Sequence, residues 1–473
     1  MISKHDGNEE KSCGQALHEQ LYYEPKRAFE VMDREAQAAA DRFAKEYMAF
    51  LNAGKTEREV VAVSIEMAQK AGFVPYTFGM QVKAGDKLYY NNRGKSLHIW
   101  VMGEKPLDEG VRISAAHVDS PRIDLKPHPL YEESGMGFLK TRYYGGIKKY
   151  QWTAIPLSLH GTLVKQNGET VHVSIGEAED DPVFYITDLL PHLGKKQGEQ
   201  PMSSAIPGEN LNVLFGSVPY EEDDTVSERV KLNLLRLLNE RYGVVEEDFI
   251  TGELCLVPAF KAREVGLDRS LIGAYGHDDR VCAYPMLRGI LEAEHPDRTV
   301  YAILADKEET GSDGVSGMQC DLLLDILCDM ASTTGANQAA MKANSICLSA
   351  DVNAAFDPTY ADVYDTRNVP YINQGIVITK YTGGAGKYST SDATAEYFGK
   401  IRSLFAEHHV LWQTGELGKV EAGGGGTVAK YIANHNIDTI DAGVAVLSMH
   451  APWEVVSKLD VYQTYLAVKA FDA

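Results

Sequence analysis

Two adjacent glutamates, Glu308 and Glu309, follow a six-residue apolar run, VYAILA (300–305), with Asp306 just ahead of them and a turn, TGS (310–312), just after. A short, unbroken apolar run is how a strand buried on both faces of a parallel sheet reads. Carboxylates crowded at the mouth of such a strand repel one another and lose hydration, so they need a counter-charge. Two glutamates at a strand's carboxyl end suit one metal ligand and one general base. A lone Glu-Glu pair is also what a solvated acidic loop looks like. Recurrence of the pattern decides between the two readings.

The run 111–116 ends at His117, the run 346–350 at Asp351, and the run 443–449 at His450. Asp278, in AYGHDDR (274–280), stands just ahead of a helix expected at 281–294. In open α/β sheets the carboxyl ends of the strands converge on one crevice. Each residue has an ordinary use of its own: hydrogen bonding for the histidines, a turn for Asp351, a helix cap for Asp278 and Asp279. All of these would have to hold together for the pattern to be empty. Two imidazoles and three carboxylates suit a pair of divalent ions, zinc first, with manganese or cobalt as alternatives.

The elements that must position these side chains are legible in outline. Residues 27–51 have helical periodicity, and TERE (56–59) is a capping box opening a second helix through 71, with Gly72 at its end. A hairpin is expected from 87–90 and 96–102 across NNRG (91–94). From 128 to 254 Pro and Gly become frequent, and short β-like runs (154–159, 161–165, 170–175) surround one helix at 226–241. Beyond that, strands (299–305, 346–350, 443–448) alternate with helices (281–294, 427–434). The expectation is an α/β fold: a largely parallel sheet flanked by helices, in two parts (1–127 and 255–473), with an inserted mostly β domain at 128–254.

With 473 residues the chain is long enough for two or three domains. Its 46 basic and 67 acidic side chains give a net charge of −21, which argues against nucleic acid or an anionic membrane as partner. The six cysteines form no C-x-x-C pair, pointing to a reducing compartment. MISKHDGNEEKSCGQ lacks the apolar core of a signal peptide, and no apolar run approaches the roughly 20 residues of a membrane span. The chain reads as cytoplasmic. GGAGK (383–387) fails as a phosphate loop, because tyrosines stand at 381 and 388 where Gly and Ser or Thr are needed.

The ordered set HVDSP (117–121), GHDDRVCAY (276–284), DKEETGS (306–312), SADVNAAFDP (349–358) and SMHAPWE (448–454) resembles the M18 aminopeptidases, the aspartyl aminopeptidase family. That resemblance implies a two-metal exopeptidase acting on peptides with a free N-terminus. His117, Asp278 and Asp351 would hold one ion, Glu309 and His450 the other, with Asp278 bridging. It implies that Glu308 is the general base, that Asp119 orients the His117 imidazole, and that the bond after Asp278 is cis. The insertion matches the family's dimerisation domain, with His192 reaching a neighbouring subunit's active site and dimers building a tetrahedral dodecamer. An acidic N-terminal residue would need a cation, supplied by Lys380 or Lys387; 375–387 departs from the eukaryotic pattern, which leaves a broader or neutral preference open. The glycines 423–426, ahead of an expected helix, suit an anion or oxyanion and make Thr427 a substrate contact. The rivals are an M42-like or M20-like two-metal peptidase or deacylase, disfavoured by the insertion and SMHAPWE. An inert assembly or cargo-binding protein is disfavoured by the complete set of ligands and Glu308.

Overall fold

In a computed structural model, which describes residues 11–473, the run VYAILA is the strand Val300–Ala305, buried along its whole length. It pairs in parallel with Arg112–His117, which pairs in parallel with Ile346–Ser349, which in turn pairs with Asp438–Gly443. These four strands are the centre of a nine-stranded sheet. The sheet is mixed at its flanks. On one side is the antiparallel hairpin Lys87–Asn92/Ser96–Val101, and on the other Ile376–Thr379 runs against Asp438–Gly443.

Alternate side chains of the central strands feed two cores. Val300, Ala302 and Leu304 face the helices Arg34–Ala53, His277–Leu291 and Lys458–Asp472, whereas Tyr301, Ile303 and Ala305 face Leu322–Thr334 and Ala429–Ala433. Cover on both faces is why the strand carries no polar residue before its end. The capping box forms as expected: Thr56 Oγ accepts from the Glu59 N–H (3.3 Å), and the Glu59 carboxylate accepts from the Thr56 N–H (3.0 Å), opening Glu57–Lys70.

Several elements differ from the sequence reading. Residues 27–51 make two helices, Ala28–Val31 and Arg34–Ala53, because Asp33 caps the second by accepting from the Ala36 N–H at 2.8 Å. The runs 154–159 and 161–165 are one strand, Pro156–Val164, which continues through His160 and Gly161 without a turn. A Cβ there would lie 2.0 Å from the Glu253 carbonyl, so this glycine marks close approach of the neighbouring strand. The run at 443–448 is split. Gly443 ends Asp438–Gly443 with its Cβ position 1.9 Å from the Asp351 carbonyl. The chain then leaves the large sheet and continues as Ala445–Leu447 in a five-stranded sheet with Glu454–Ser457 and Leu271–Ala274. The expected helix 427–434 shortens to Ala429–Ala433, and that at 281–294 starts at His277, with non-helical backbone at Asp278 and Asp279.

Residues 122–258 hold a seven-stranded antiparallel sheet that closes on itself, since Glu253–Pro258 pairs with both Arg122–Glu133 and Pro156–Val164. It has its own core, against which Arg229–Tyr242 packs. All six cysteines are free thiols, and among the described residues no helix is long and apolar enough to cross a membrane. The first ten residues, part of the segment inspected for a signal peptide, lie outside the described residues.

Candidate active site

Four of the expected residues arrive from the large sheet and two from elsewhere. His117 is the last residue of Arg112–His117; Glu308 and Glu309 follow Val300–Ala305; Asp351 follows Ile346–Ser349. His450 was expected at the end of a parallel strand. It sits instead in the turn between Ala445–Leu447 and Glu454–Ser457, with φ 64°, because Gly443 has already taken the chain out of the large sheet. Asp278 is at the start of His277–Leu291, and the Asp278–Asp279 bond is cis.

The imidazoles are held alike. Each Nδ1–H donates to a carbonyl, His117 to Asp119 O (2.9 Å) and His450 to Gly146 O (2.7 Å), which leaves each Nε2 facing inward. Between them lies Asp278, with Oδ1 3.2 Å from His117 Nε2 and Oδ2 3.1 Å from His450 Nε2. On one side Asp351 Oδ1 and Glu308 Oε2 stand 3.8 and 3.9 Å from His117 Nε2; on the other Glu309 Oε1 stands 3.5 Å from His450 Nε2. The donor atoms of His117, Glu308 and Asp351 all lie within 4.8 Å of one another, as do those of His117, Asp278 and Glu309.

Buried carboxylates outside this ring hold it in place. Asp119 Oδ1 is 3.3 Å from His117 Nδ1, and its carboxylate also accepts from the Tyr144 hydroxyl (2.8 Å) and the N–H groups of Glu308 (3.1 Å) and Glu309 (3.3 Å). It therefore fixes the glutamate backbone as well as the ring. Glu454 accepts from the His450 N–H at 2.7 Å and the Asp278 N–H at 3.0 Å, tying two ligands from different elements together. The sequence reading gave Glu454 no role, although it closes the motif SMHAPWE; nothing in its spacing distinguishes a buried clasp from a surface acid. Tyr144 and Asp441 were likewise missed.

The electrostatics are those of negative charge without a matching cation. Among the described residues no Lys or Arg pairs with Asp278, Glu308, Glu309 or Asp351. Asp306 faces away, toward Lys95 (3.9 Å) and the Ser316 hydroxyl. Burial, then the Asp351 charge, pushes Glu308 up to about 8, and burial, then Asp278, raises Glu309 well above the carboxylate range. Glu454 and Asp441 also rise to about 8, chiefly through burial. Burial alone would lower His450, but hydrogen bonding to Asp278 and the charge of Glu309 lift it to about 10. Asp278 moves the other way, because the hydrogen bonds from both histidines outweigh its burial.

Above the ring is a cleft of about 610 Å³, part of whose wall is Gly383–Gly384 paired with Gly424–Gly425. A Cβ at Gly424 would stand 2.5 Å from Gly384 Cα, so only glycine fits. Gly424 and Gly425 thus belong to a strand pair rather than a helix N-terminus, and the helix that follows has five residues. Thr427 lines the cleft and donates to Asp441 at 3.3 Å. Lys387 lines it too, but its ammonium is engaged by Asp392 (2.6 Å) and stands over the Tyr381 ring (4.1 Å). Lys380 is exposed and outside the cleft, standing between Thr379 and Tyr381, which do line it, and His192 is exposed on the antiparallel half.

The profile of the family described as aminopeptidase I zinc metalloprotease (M18) matches residues 50–471. The chain belongs to the M18 family. It is 46% identical over 446 residues to a probable M18 family aminopeptidase 1 of Clostridium acetobutylicum, covering 93% of this chain and 95% of that one. Its similarity to the crystal structure of an M18 aminopeptidase from Thermotoga maritima has a TM-score of 0.90 at 43% identity, over 95% of this chain and 99% of the other. The mApe1 dodecamer of S. cerevisiae shares the fold with a TM-score of 0.74 at 23% identity, over 91% of this chain and 96% of that one. This M18 protein is a metal-dependent aminopeptidase with an α/β fold. The family's zinc fits the residues present: His117 Nε2 and Glu309 Oε1 are buried without a hydrogen-bond partner, and the donors are the imidazoles and carboxylates that zinc takes.

The metal-free aminopeptidase should lose stability as pH rises from 6.5 to 8. In that window Glu308, Glu454 and Asp441 are protonated when folded and ionised when unfolded, and His450 is protonated when folded and largely neutral when unfolded. The folded state therefore binds more protons, and unfolding becomes easier with rising pH. Thermal unfolding of chelator-treated protein should show Tm falling across this range, with the stabilisation from added zinc growing. A Tm that rises with pH would contradict this.

Proposed function

We propose that this aminopeptidase cuts single residues from peptide N-termini at a two-cation centre. His117, Asp278 and Asp351 would hold one ion, and Asp278, Glu309 and His450 the other. The observation that carries this reading is Asp278, whose two oxygens meet two inward-facing imidazoles at 3.2 and 3.1 Å. When bound, the ion pair supplies Lewis acidity and lowers the pKa of water at the site. The side chains do the rest. Glu308, 3.9 Å from His117 Nε2 on the cleft wall, takes the proton from the attacking water and returns it to the leaving amine. Asp119 keeps Glu308 in reach through its backbone N–H, and Thr427 and the paired glycines bound the space for the released residue.

The cleft suits a neutral N-terminal residue better than an acidic one. Lys387 is already neutralised by Asp392, Lys380 lies outside, Lys419 lines the wall but donates to the Asp362 carbonyl (2.6 Å), and Glu416 stands on the same wall beside Leu417, Val420 and Met449. An acidic side chain entering there would face Glu416 and would have to draw Lys419 away from the Asp362 carbonyl. Zinc-loaded enzyme assayed on aminoacyl-nitroanilides should favour Leu and Met over Asp and Glu by about tenfold or more in kcat/KM; the reverse order would refute a neutral pocket.

We infer further that residues 1–127 and 255–473 make the catalytic unit and 128–254 a dimerisation domain, with His192 offered to a neighbouring copy. The exposed Leu189, Leu190 and Leu193 around His192 support this, as apolar surface of that kind is normally covered. Assembly into a dodecamer, as in the S. cerevisiae relative, extends the same reading. Free thiols throughout suit the cytoplasm. Leu190→Asp with Leu193→Asp should lower the mass seen by light scattering; an unchanged mass would remove the leucine face from the interface.

Glu308→Gln should keep its zinc while kcat falls about a thousandfold, the scale of a lost general base. Asp278→Ala should lose metal at both positions. Equal metal loss in the two variants would overturn these roles.

A further inference from the structure

The metal centre borders a second cleft, of about 1120 Å³, which shares Glu309 with the first. Two glycines separate them, Gly145 lining the second and Gly146 the first. A Cβ at Gly145 would lie 3.1 Å from Glu309 Oε2, and one at Gly146 would lie 3.4 Å from His450 Nδ1. A chain crossing from one cleft to the other therefore passes bare backbone beside two of the ligands. The first cleft contains Asp278, Glu308, Glu309, Asp351 and His450, so the bond to be cut lies there and the departing strand leaves past Glu309.

The second cleft is lined by three basic side chains, Lys126, Arg142 and Lys149, and three acidic ones, Asp124, Glu209 and Glu309. The chain carries −21 overall, yet residues 134–168 hold Lys140, Arg142, Lys148, Lys149 and Lys165 with no acidic side chain among them. Inside the cleft most charges are already paired. Lys126 is held by both oxygens of Glu209 (2.8 and 2.7 Å), and Asp124 is taken by Arg122 Nε (2.7 Å). Arg142 and Lys149 are left. Among the described residues neither has an ion-pair partner, Arg142 is exposed, and the Lys149 ammonium stands 6.0 Å from the centre of the Tyr143 ring.

We propose that the second cleft receives the part of the peptide beyond the scissile bond, and that Arg142 and Lys149 bind carboxylates on it. This rests on the metal-centre reading for the direction of the chain but not for the binding itself. The carboxylates have two sources, acidic side chains downstream of the cut and the C-terminus of a short peptide. Both present the planar acceptor that a guanidinium grips in a fork and an ammonium meets as a point charge. The cleft makes the enzyme sensitive to residues it does not release.

The test uses zinc-loaded enzyme with Leu-Ala-Glu-Ala and Leu-Ala-Gln-Ala, each as free acid and as C-terminal amide. A preference for Glu over Gln, for acid over amide, or for both is expected through KM, at roughly five- to tenfold, the scale of one or two partly exposed ion pairs. The ratio should fall to near one in Arg142→Ala with Lys149→Ala, and Arg142→Lys should restore most of it. Binding of the tripeptide Ala-Glu-Ala to metal-free protein, by calorimetry, should weaken by a similar factor in the double variant. Ratios near one on both arms in the unaltered enzyme, a ratio that survives the double substitution, or unchanged tripeptide binding would each overturn the proposal. If the zinc-loaded enzyme cut none of the four peptides, the metal-centre reading would fail, and tripeptide binding alone would decide the role of the cleft.

Discussion

Asp278 is gripped from both sides, and most of the architecture follows from that grip. One oxygen faces an imidazole on the large sheet; the other faces an imidazole on a turn of the five-stranded sheet. Neither ring can swing away, since each Nδ1–H is tied to a carbonyl. Around this axis three more carboxylates gather, and among the described residues no Lys or Arg pairs with them to offset their charge. Buried charge of one sign is costly unless something of the other sign joins it or protons are taken up. The raised proton affinities of Glu308, Glu309 and Asp351 express that cost, and a cation relieves it.

Assembling such a cluster takes elements that do not yield. Parallel strands buried on both faces bring His117, Asp351 and the glutamates to one edge of the sheet, and cores on both sides keep that edge rigid. Asp119 and Glu454 then act as clasps, each binding two segments that are remote in sequence. Glycines do the complementary work of removing bulk. Gly443 lets one strand pass against Asp351, and Gly424 lets the cleft wall pair with Gly384. Charge demands closeness, and closeness demands residues without side chains at a few positions.

How much of this could be read beforehand follows from where the information resides. His117, Asp351 and Glu308–Glu309 announce themselves because an apolar run ends on a group that dislikes burial, and that contrast is local. Asp278 and its five-motif company were legible by resemblance. His450 was placed on the wrong element, because an apolar stretch through Gly443 reads as one strand, and only a contact with Asp351, ninety-two positions earlier, shows that it bends away. Residues 154–165 misled in the same manner: two β-like runs with a turn between them and one strand that continues through a glycine look alike in a sequence. Glu454 and Tyr144 were silent, since their roles depend on which distant N–H or carboxylate they meet. Lys380 stands outside the cleft while Thr379 and Tyr381 line it, and a sequence does not say which of three consecutive side chains will face inward.

The two-cation centre is tested most directly by anomalous diffraction at the zinc edge, from crystals grown with excess zinc. Two peaks per chain are expected, one beside His117 and Asp351, the other beside His450 and Glu309, with Asp278 between them. A single peak, or peaks that leave Asp278 out, would contradict the arrangement.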